Sequence, residues 1–400
     1  MLAPRFPYPP FGGDKLFLLN VAKGLRPHRI TLLTFCSTRA EMEIEPDDGI
    51  FSEIHKVHLP RWQSMRNALR ALAGSVPLQL AYYSSPEFRR KFEALAPSHD
   101  AILAHLIRTG QYAASGPRDI PRILLMADAI SLTYERMAAL PGTSRLWHAL
   151  YQAELKRLHA YERECPAWFD QTWLHSDVDR SYLGMPPDRA RIVPMGIDLE
   201  DFPYRANRRG NAVAFIGNMS SSVNLDACMH FISDILPRVR ARADVRFRVV
   251  GACPRKLKRK LSRYPGVEVT GAVFRIADGV NGAFCGVCPL RGGAGIQNKM
   301  LNYLALGLPC VTSQIGLGGV KATPGREVLL YRNPEEAAEQ ILDLHADANL
   351  RNRLALAGRA LVESRYDWKR IYPEFGEFLF QAGMRHPNWA KRGAGFQPAA

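Results

Sequence analysis

At 400 residues the chain is too long for one small core and suits two α/β domains of ordinary size. Its 47% hydrophobic and 23% charged residues are a globular composition, which excludes a disordered or fibrous chain. The net charge of +15 is uneven: residues 1–200 hold 24 Lys/Arg against 22 Asp/Glu, and residues 201–400 hold 29 against 16. No run approaches a bilayer-spanning length and the start lacks a basic-then-apolar signal pattern, so a soluble, cytoplasmic protein is expected. Seven scattered cysteines do not form a disulfide framework. Cys285 and Cys288 make a lone C-x-x-C inside an apolar run, with no second pair nearby, and are expected as buried thiols.

The opening MLAPRFPYPPFGGDK leaves only Met1 to Ala3 as strand before the prolines, so the first strand should be very short. Gly12-Gly13 then precedes a helical stretch carrying Leu16, Leu19, Val21 and Leu25. Arg29 to Cys36 reads as a strand, the acidic Glu41 to Asp48 as an exposed loop, and Ile54 to Leu59 as another strand. Arg61 to Leu72 is helical, with Trp62, Met65, Leu69 and Leu72 on one side and Arg61, Arg66 and Arg70 among the rest. Two readings stand: a surface helix whose apolar stripe covers the core, which is the commoner case, or a helix lying on an anionic membrane.

Asp100 to His105 and Arg122 to Asp128 are strands that end in polar residues. Open parallel sheets place their chemistry at strand C-termini, which makes His105, Arg108 and Asp128 candidates for function. A long helix follows at about 146–164, then strands near 168–175 and 190–194. Met195 to Asn211 reads as a linker.

Beyond it strands and helices alternate: strand 212–216, helix 224–241, strand 245–250, a basic helix 255–264, strand 267–270 and a short helix near 276–281. The basic run Arg255, Lys256, Lys258, Arg259, Lys260 and Arg263 lacks interleaved aromatics and reads as a solvated helix face, so no nucleic acid is expected as a partner. Then comes FCGVCPLRGGAGIQNKMLNYLALGLPCVTSQ, residues 284–314, which reads as strand, glycine-rich loop, helix, strand. Gly307 stands where a C-terminal cap glycine belongs and Pro309 blocks further helix. A glycine loop emptying into a helix N-terminus offers unpaired amides and positive potential to an anion. Arg291 and Lys299 would add charge, so a phosphate or diphosphate is one reading and a tight βα turn the other. A strand at 327–331 and helices at 334–345 and 349–364 complete the alternation, which implies parallel sheets covered on both faces.

Five ordered motifs, PYPPFGGDK, VPMGIDLEDF, FIGNMSSSVNLDA, VTGAV and PLRGGAGIQNKMLNYLALGLPCV, resemble the retaining glycosyltransferases of the GT-B fold, glycosyltransferase family 4 type. Within them the chain is most similar to sugar transferases of bacterial exopolysaccharide (PEP-CTERM-associated) clusters. The resemblance runs from about Arg5 to Trp368. It implies an α/β, GT-B architecture of two Rossmann-like domains whose parallel sheets face across a cleft. The expected division is residues 1–200 as the acceptor-side domain, 201–365 as the nucleotide-sugar domain, 366–384 as a helix crossing back to the first, and 385–400 as a mobile tail.

The resemblance further implies a hexosyltransferase that is metal-independent, needs no cofactor, and works on a glycan or lipid-linked acceptor, with an anionic membrane surface as a further partner. Gly12, Gly13, Gly217, Asn218, Arg291, Gly293, Gly295, Gln297, Asn298, Lys299 and Asn302 would hold the donor. His105 and Arg108 would orient the transferred sugar and Asp128 the acceptor. The family's two glutamates of the loop and helix fall here on Ala294 and Asn302. Its usual Arg and Lys after the first strand of the second domain are absent from 218–224. Ala294, Asn302 and the short first strand motivate one alternative, a non-catalytic relative serving as a binding or scaffold subunit; a second, a GT-B-type nucleotide-sugar epimerase or hydrolase, would share the diphosphate site and need no acceptor.

Overall fold

The structure, a computed structural model, describes residues 1–10, 12–140, 145–206 and 208–386. The chain forms two compact units. Unit 1 comprises Met1–Glu135, Ser144–Pro194 and Lys369–Ala400; unit 2 comprises Arg136–Thr143 and Met195–Trp368.

Unit 1 is built on seven strands: β1 (Leu2–Ala3), β2 (Thr31–Cys36), β3 (Glu53–His58), β4 (Ile102–His105), β5 (Arg122–Ala127), β6 (Gln171–Leu174) and β7 (Ala190–Ile192). They lie in the order β3-β2-β1-β4-β5-β6-β7, every pair parallel. Strands such as β4 and β6 are buried along their whole length, as strands covered by helices on both faces must be. β1 has two residues because Pro4 brings no amide hydrogen to a ladder, yet it is central: Leu2 pairs with both Leu33 and Ala104.

One expected loop is a helix in part. Arg39–Glu43 turns helical because Thr38 Oγ1 accepts from Glu41 N at 3.2 Å while Glu41 Oε2 accepts from Thr38 N at 3.3 Å. That reciprocal cap satisfies two amides at once, and its T-x-x-E signature outweighs the acidic composition. The last described helix, Trp368–Met384, packs on this unit. Trp173 meets Phe375 and Phe378 at 6.1 and 5.9 Å between ring centroids, and the Tyr372 hydroxyl donates to Asn20 Oδ1 at 2.5 Å. Gly24 makes room for it, since a Cβ there would lie 2.4 Å from Phe375 Cδ2. Of the expected tail 385–400, residues 387–400 lie outside the described residues. Arg385 donates to the Asp188 carbonyl, and His386 Nε2 lies 2.9 Å from the Arg118 carbonyl.

Unit 2 has six parallel strands, β8 (Ala212–Ile216), β9 (Arg246–Val250), β10 (Val267–Gly271), β11 (Ala283–Cys288), β12 (Cys310–Thr312) and β13 (Leu329–Leu330), ordered β10-β9-β8-β11-β12-β13. Phe231 stacks on Phe247 at 4.2 Å and Phe247 on Phe215 at 6.3 Å, forming an aromatic core beside β8 and β9. The single helix expected over 224–241 is instead Ser222–His230, a π-helical turn Phe231–Ile235, and Leu236–Arg240. Pro237, which has no amide hydrogen to continue the helical ladder, follows that turn. Cys285 and Cys288 are buried free thiols, and burial raises the pKa of both. No described helix is long and apolar enough to cross a membrane.

Candidate functional site

Each sheet has one place where its strand order reverses: between β1 and β4 in unit 1, and between β8 and β11 in unit 2. Connections leave in opposite directions at such a point, and the space outside the strand C-termini is where open α/β sheets take ligands.

In unit 2 this space is bordered by Gly217 and Asn218 after β8 and by residues 291–297 after β11. A Cβ on Gly217 would stand 3.0 Å from Asn224 Cγ, and Asn218 Oδ1 receives the Ser220 amide at 2.9 Å, which folds this edge into a tight turn. In the opposite loop Gly293 has φ +111° and Gly295 φ +69°, conformations that side chains resist. Their carbonyls are engaged by Arg136 Nη1 at 2.5 Å and by the Gly319 amide at 3.1 Å respectively. The loop enters the helix Asn298–Ala305, whose N-cap residue Gln297 gives it no side-chain cap. Its first amides are therefore available to an anion.

Tyr303 fixes this helix against the strands. Its hydroxyl accepts from Ile216 N at 2.8 Å and lies within donating distance of the Val287 and Ala214 carbonyls, at 3.1 and 3.2 Å. Gly286 makes room, because a Cβ there would fall 2.6 Å from the Tyr303 ring.

The two expected cations are placed differently. Lys299 is only 8% exposed, and Nζ donates to Gln297 Oε1 at 3.2 Å and lies 5.7 Å from the Phe215 ring centroid. It forms no carboxylate ion pair among the described residues, and burial pulls its pKa down. A buried ammonium held only by an amide oxygen and a ring face is short of negative charge. Arg291, in contrast, is committed to Asp226 on the Ser222–His230 helix, with Nη2–Oδ1 at 2.5 Å and Nε–Oδ2 at 3.1 Å. Asn298 adds a buried Oδ1 with no partner, Asn302 is nearly buried, and Gln297 Nε2 donates to the Ala294 carbonyl at 3.0 Å.

In unit 1 the reversal point is bordered by Gly12 and by His105. Gly12 has φ +108° and precedes the helix Gly13–Gly24, which also begins without a side-chain cap. Asp14 in its first turn pairs with Arg5 at 2.5 Å. His105 ends β4, is buried, and has no hydrogen-bond partner for either ring nitrogen. Burial lowers its pKa to about 4, so the ring is neutral near pH 7. Leu106 next to it is forced to φ +64°, and Ala127 at the end of β5 to φ +68°; strained residues of this kind gather where a fold holds functional groups. Arg108 donates twice to Gln79 Oε1, at 2.9 and 2.7 Å, and lies 5.6 Å from the Tyr83 ring centroid.

Asp128 stands in a group of acids. Its Oδ1 is sealed without a partner, and burial, then Asp179 and Glu162, raise its pKa well above the ordinary value of 3.8. Glu162 takes the Ile130 and Ser131 amides at 2.7 and 3.1 Å, and Asp179 takes the Ala129 amide at 2.9 Å. These carboxylates cap the helix Ile130–Ala138, a task that sequence reading did not assign to them. Among the described residues no three His, Cys, Asp or Glu side chains are grouped to hold a metal ion.

Residues 210–347, about a third of the chain, match the family profile described as glycosyl transferases group 1. Among solved structures, a sucrose-phosphate synthase from Thermosynechococcus elongatus superposes with a TM-score of 0.72 at 14% identity, covering 95% of this chain and 98% of that one. HepE from Anabaena, solved with UDP, gives 0.65 at 14% identity over 95% and 99%. WaaG, a glycosyltransferase involved in lipopolysaccharide biosynthesis, gives 0.61 at 16% identity over 94% and 99%. The fold is GT-B. No curated protein matches the chain in sequence.

Within this GT-B chain the profile match spans the whole unit 2 reversal point. Gly217, Asn218, Arg291, Gly293, Gly295, Gln297, Asn298, Lys299 and Asn302 all lie on the two segments that border it or on the helix they lead into. Gly12, Gly13, His105 and Arg108 gather at the unit 1 point, and Asp128 lies one strand further along its sheet. Asp226 and Tyr303 are the residues that sequence reading missed. Tyr303 could have been found, as a polar group in the middle of an otherwise apolar helix face.

Proposed function

We propose that the chain is a retaining, metal-independent glycosyltransferase of the hexosyltransferase type. It moves a sugar from a nucleotide-diphosphate sugar to a glycan or lipid-linked acceptor, in exopolysaccharide or cell-surface glycan synthesis, working in the cytoplasm at the inner face of the plasma membrane. The observation that carries the reading is Lys299: a nearly buried ammonium without a carboxylate, in the first turn of an uncapped helix that follows a loop with two positive-φ glycines. A diphosphate supplies the charge this site lacks. The group 1 profile match supports the reading, as do the HepE structures solved with UDP, with UDP and glucose, and with UDP-glucose.

In this reading Lys299 and the first amides of the Asn298–Ala305 helix neutralise the departing diphosphate, doing what a metal does elsewhere. Gly217 and Asn218 let the donor approach, and Asn302 meets the ribose diol with an amide that both donates and accepts. His105 and Arg108 orient the sugar, and Asp128 orients an acceptor hydroxyl. The acceptor oxygen bonds to the anomeric carbon on the face from which the phosphate oxygen leaves, and that phosphate oxygen takes the acceptor proton.

The test is a panel of nucleotide-sugars, scored by nucleoside diphosphate release and by the anomeric configuration of the product. Turnover insensitive to chelator, product of the donor's configuration, and a roughly hundredfold or larger fall in kcat for Lys299→Ala are the expected results. A protein that neither binds nor releases any nucleoside diphosphate would overturn the reading. Ala294, Asn302 and the Arg291–Asp226 pair favour a non-catalytic relative as a second reading. Wild-type turnover that disappears in Lys299→Ala removes it.

A further inference from the structure

The helix Arg61–Ala71 is built inside out. Its protein-facing side carries small residues: Ser64 is 1% exposed, with Asn67, Ala68 and Ala71 beside it. Its large apolar residues face solvent: Trp62 is 64% exposed, Met65 53% and Leu69 61%, and Leu72 just beyond is 46% exposed. The stripe therefore does not cover the core, which corrects the commoner expectation for this segment. At ~100° per residue the four side chains fall within about 80° of the helix circumference. Arg61 lies on one side of this stripe and Arg66 and Arg70 on the other, and Arg66 sits 5.3 Å from the Trp62 ring centroid. No Asp or Glu occurs between Glu53 and Glu87.

Latches hold the helix in this orientation. Asn67 Nδ2 donates to the Ser84 carbonyl at 2.9 Å, and Arg157 Nη2 donates to the Leu72 carbonyl at 2.6 Å. The protein thus spends polar contacts on keeping an apolar face outward. Burying that stripe against the unit instead would have gained hydrophobic free energy, so its exposure calls for a partner.

We propose that the Arg61–Ala71 helix docks unit 1 on an anionic lipid bilayer. Trp62, Met65, Leu69 and Leu72 enter the boundary between headgroups and acyl chains, and Arg61, Arg66 and Arg70 sit on lipid phosphates. The absence of acidic residues along the segment selects a negatively charged surface over an apolar groove of another protein. The proposal deepens the membrane-face part of the reading above and rests on it for its biological setting. Its physical basis, an exposed apolar stripe flanked by arginines, is independent of catalysis.

The experiment is flotation of the full chain with phosphatidylcholine vesicles, with or without phosphatidylglycerol, in the absence of donor. The wild type is expected to float with the anionic vesicles and at least about tenfold less with the neutral ones. Trp62→Ser with Leu69→Ser, and separately Arg66→Glu with Arg70→Glu, should each weaken anionic binding at least about tenfold. Leu356→Ser, at another exposed leucine, should leave it unchanged, and matching thermal unfolding of all variants excludes misfolding. Failure to bind anionic vesicles, or binding indifferent to both double variants, overturns the proposal. So does a stable dimer dispersed by Leu69→Ser, which would make a second copy the occupant. Because vesicle binding needs no turnover, loss of transferase activity and loss of docking are separate results.

Discussion

At the scale of single residues, the contrast between Lys299 and Arg291 decides how the anion site behaves. Both were legible in the sequence as cations beside a glycine loop, but the Arg291 partner was not, because Asp226 lies 65 positions earlier and reaches it only through the fold. Asp226→Asn releases Arg291 from its bidentate clamp. The pair is partly exposed, so the change is expected to be modest: nucleoside diphosphate affinity rises about fivefold, read by calorimetry. An unchanged affinity would mean that the freed guanidinium does not reach the phosphates. Lys299 gives a second, independent signature. Burial lowers its pKa, and a bound diphosphate raises it again, so binding at alkaline pH should take up protons. Calorimetry in buffers of different ionisation enthalpy measures that uptake, which Lys299→Met should abolish.

At the scale of elements, helix termini and anchors account for most of what the sequence left hidden. The start of Ile130–Ala138 is not legible in the local sequence because its capping groups, Glu162 and Asp179, come from distant parts of the chain. The pKa of Glu162 is raised to about 7, mainly by burial, against an ordinary 4.5. The folded state therefore holds this proton more tightly than the unfolded chain, and the associated stability is lost as pH rises through about 7. His105 and His175, both lowered to about 4 by burial, act in the opposite sense, favouring the folded state less as pH falls below the ordinary value of 6.5. Glu162→Gln should therefore flatten the decline in melting temperature between about pH 5 and pH 8, leaving the acid-side behaviour of the histidines in place. A melting profile parallel to the wild type would contradict it. Tyr303→Phe tests the other anchor. The Ile216 amide would lose its acceptor in a buried place, at a cost of about 1–3 kcal/mol, measurable by urea unfolding.

At the scale of the whole molecule, the alternation of strands and helices and the two glycine turns made the parallel sheets legible. Periodicity could not say which face of Arg61–Ala71 is wet, because an amphipathic period gives a helix two faces and leaves their assignment to tertiary packing. The return of residues 366–384 to the first domain is implied by the resemblance to GT-B glycosyltransferases and not by periodicity. Ile371, Phe375 and Leu379 recur every four residues as one helix stripe, and the fold buries that stripe in unit 1, where Phe375 meets Trp173 and Gly24 and Tyr372 meets Asn20. A chain ending at Trp368 is expected to lose the cooperative melting of unit 1 while unit 2 keeps its own transition, a difference that calorimetry resolves. Two unaltered transitions would show the helix to be dispensable. The position of that helix also sets an order of events during synthesis. Emerging domains usually fold from the N-terminus onward. Here strands β1 to β7, complete by Ile192, must wait for the helix Trp368–Met384, while 195–368 can close earlier as a nearly continuous stretch. The nascent chain thus carries a β-sheet whose strands are all present but which still lacks one of its covering helices, and the unit begun first is the unit completed last.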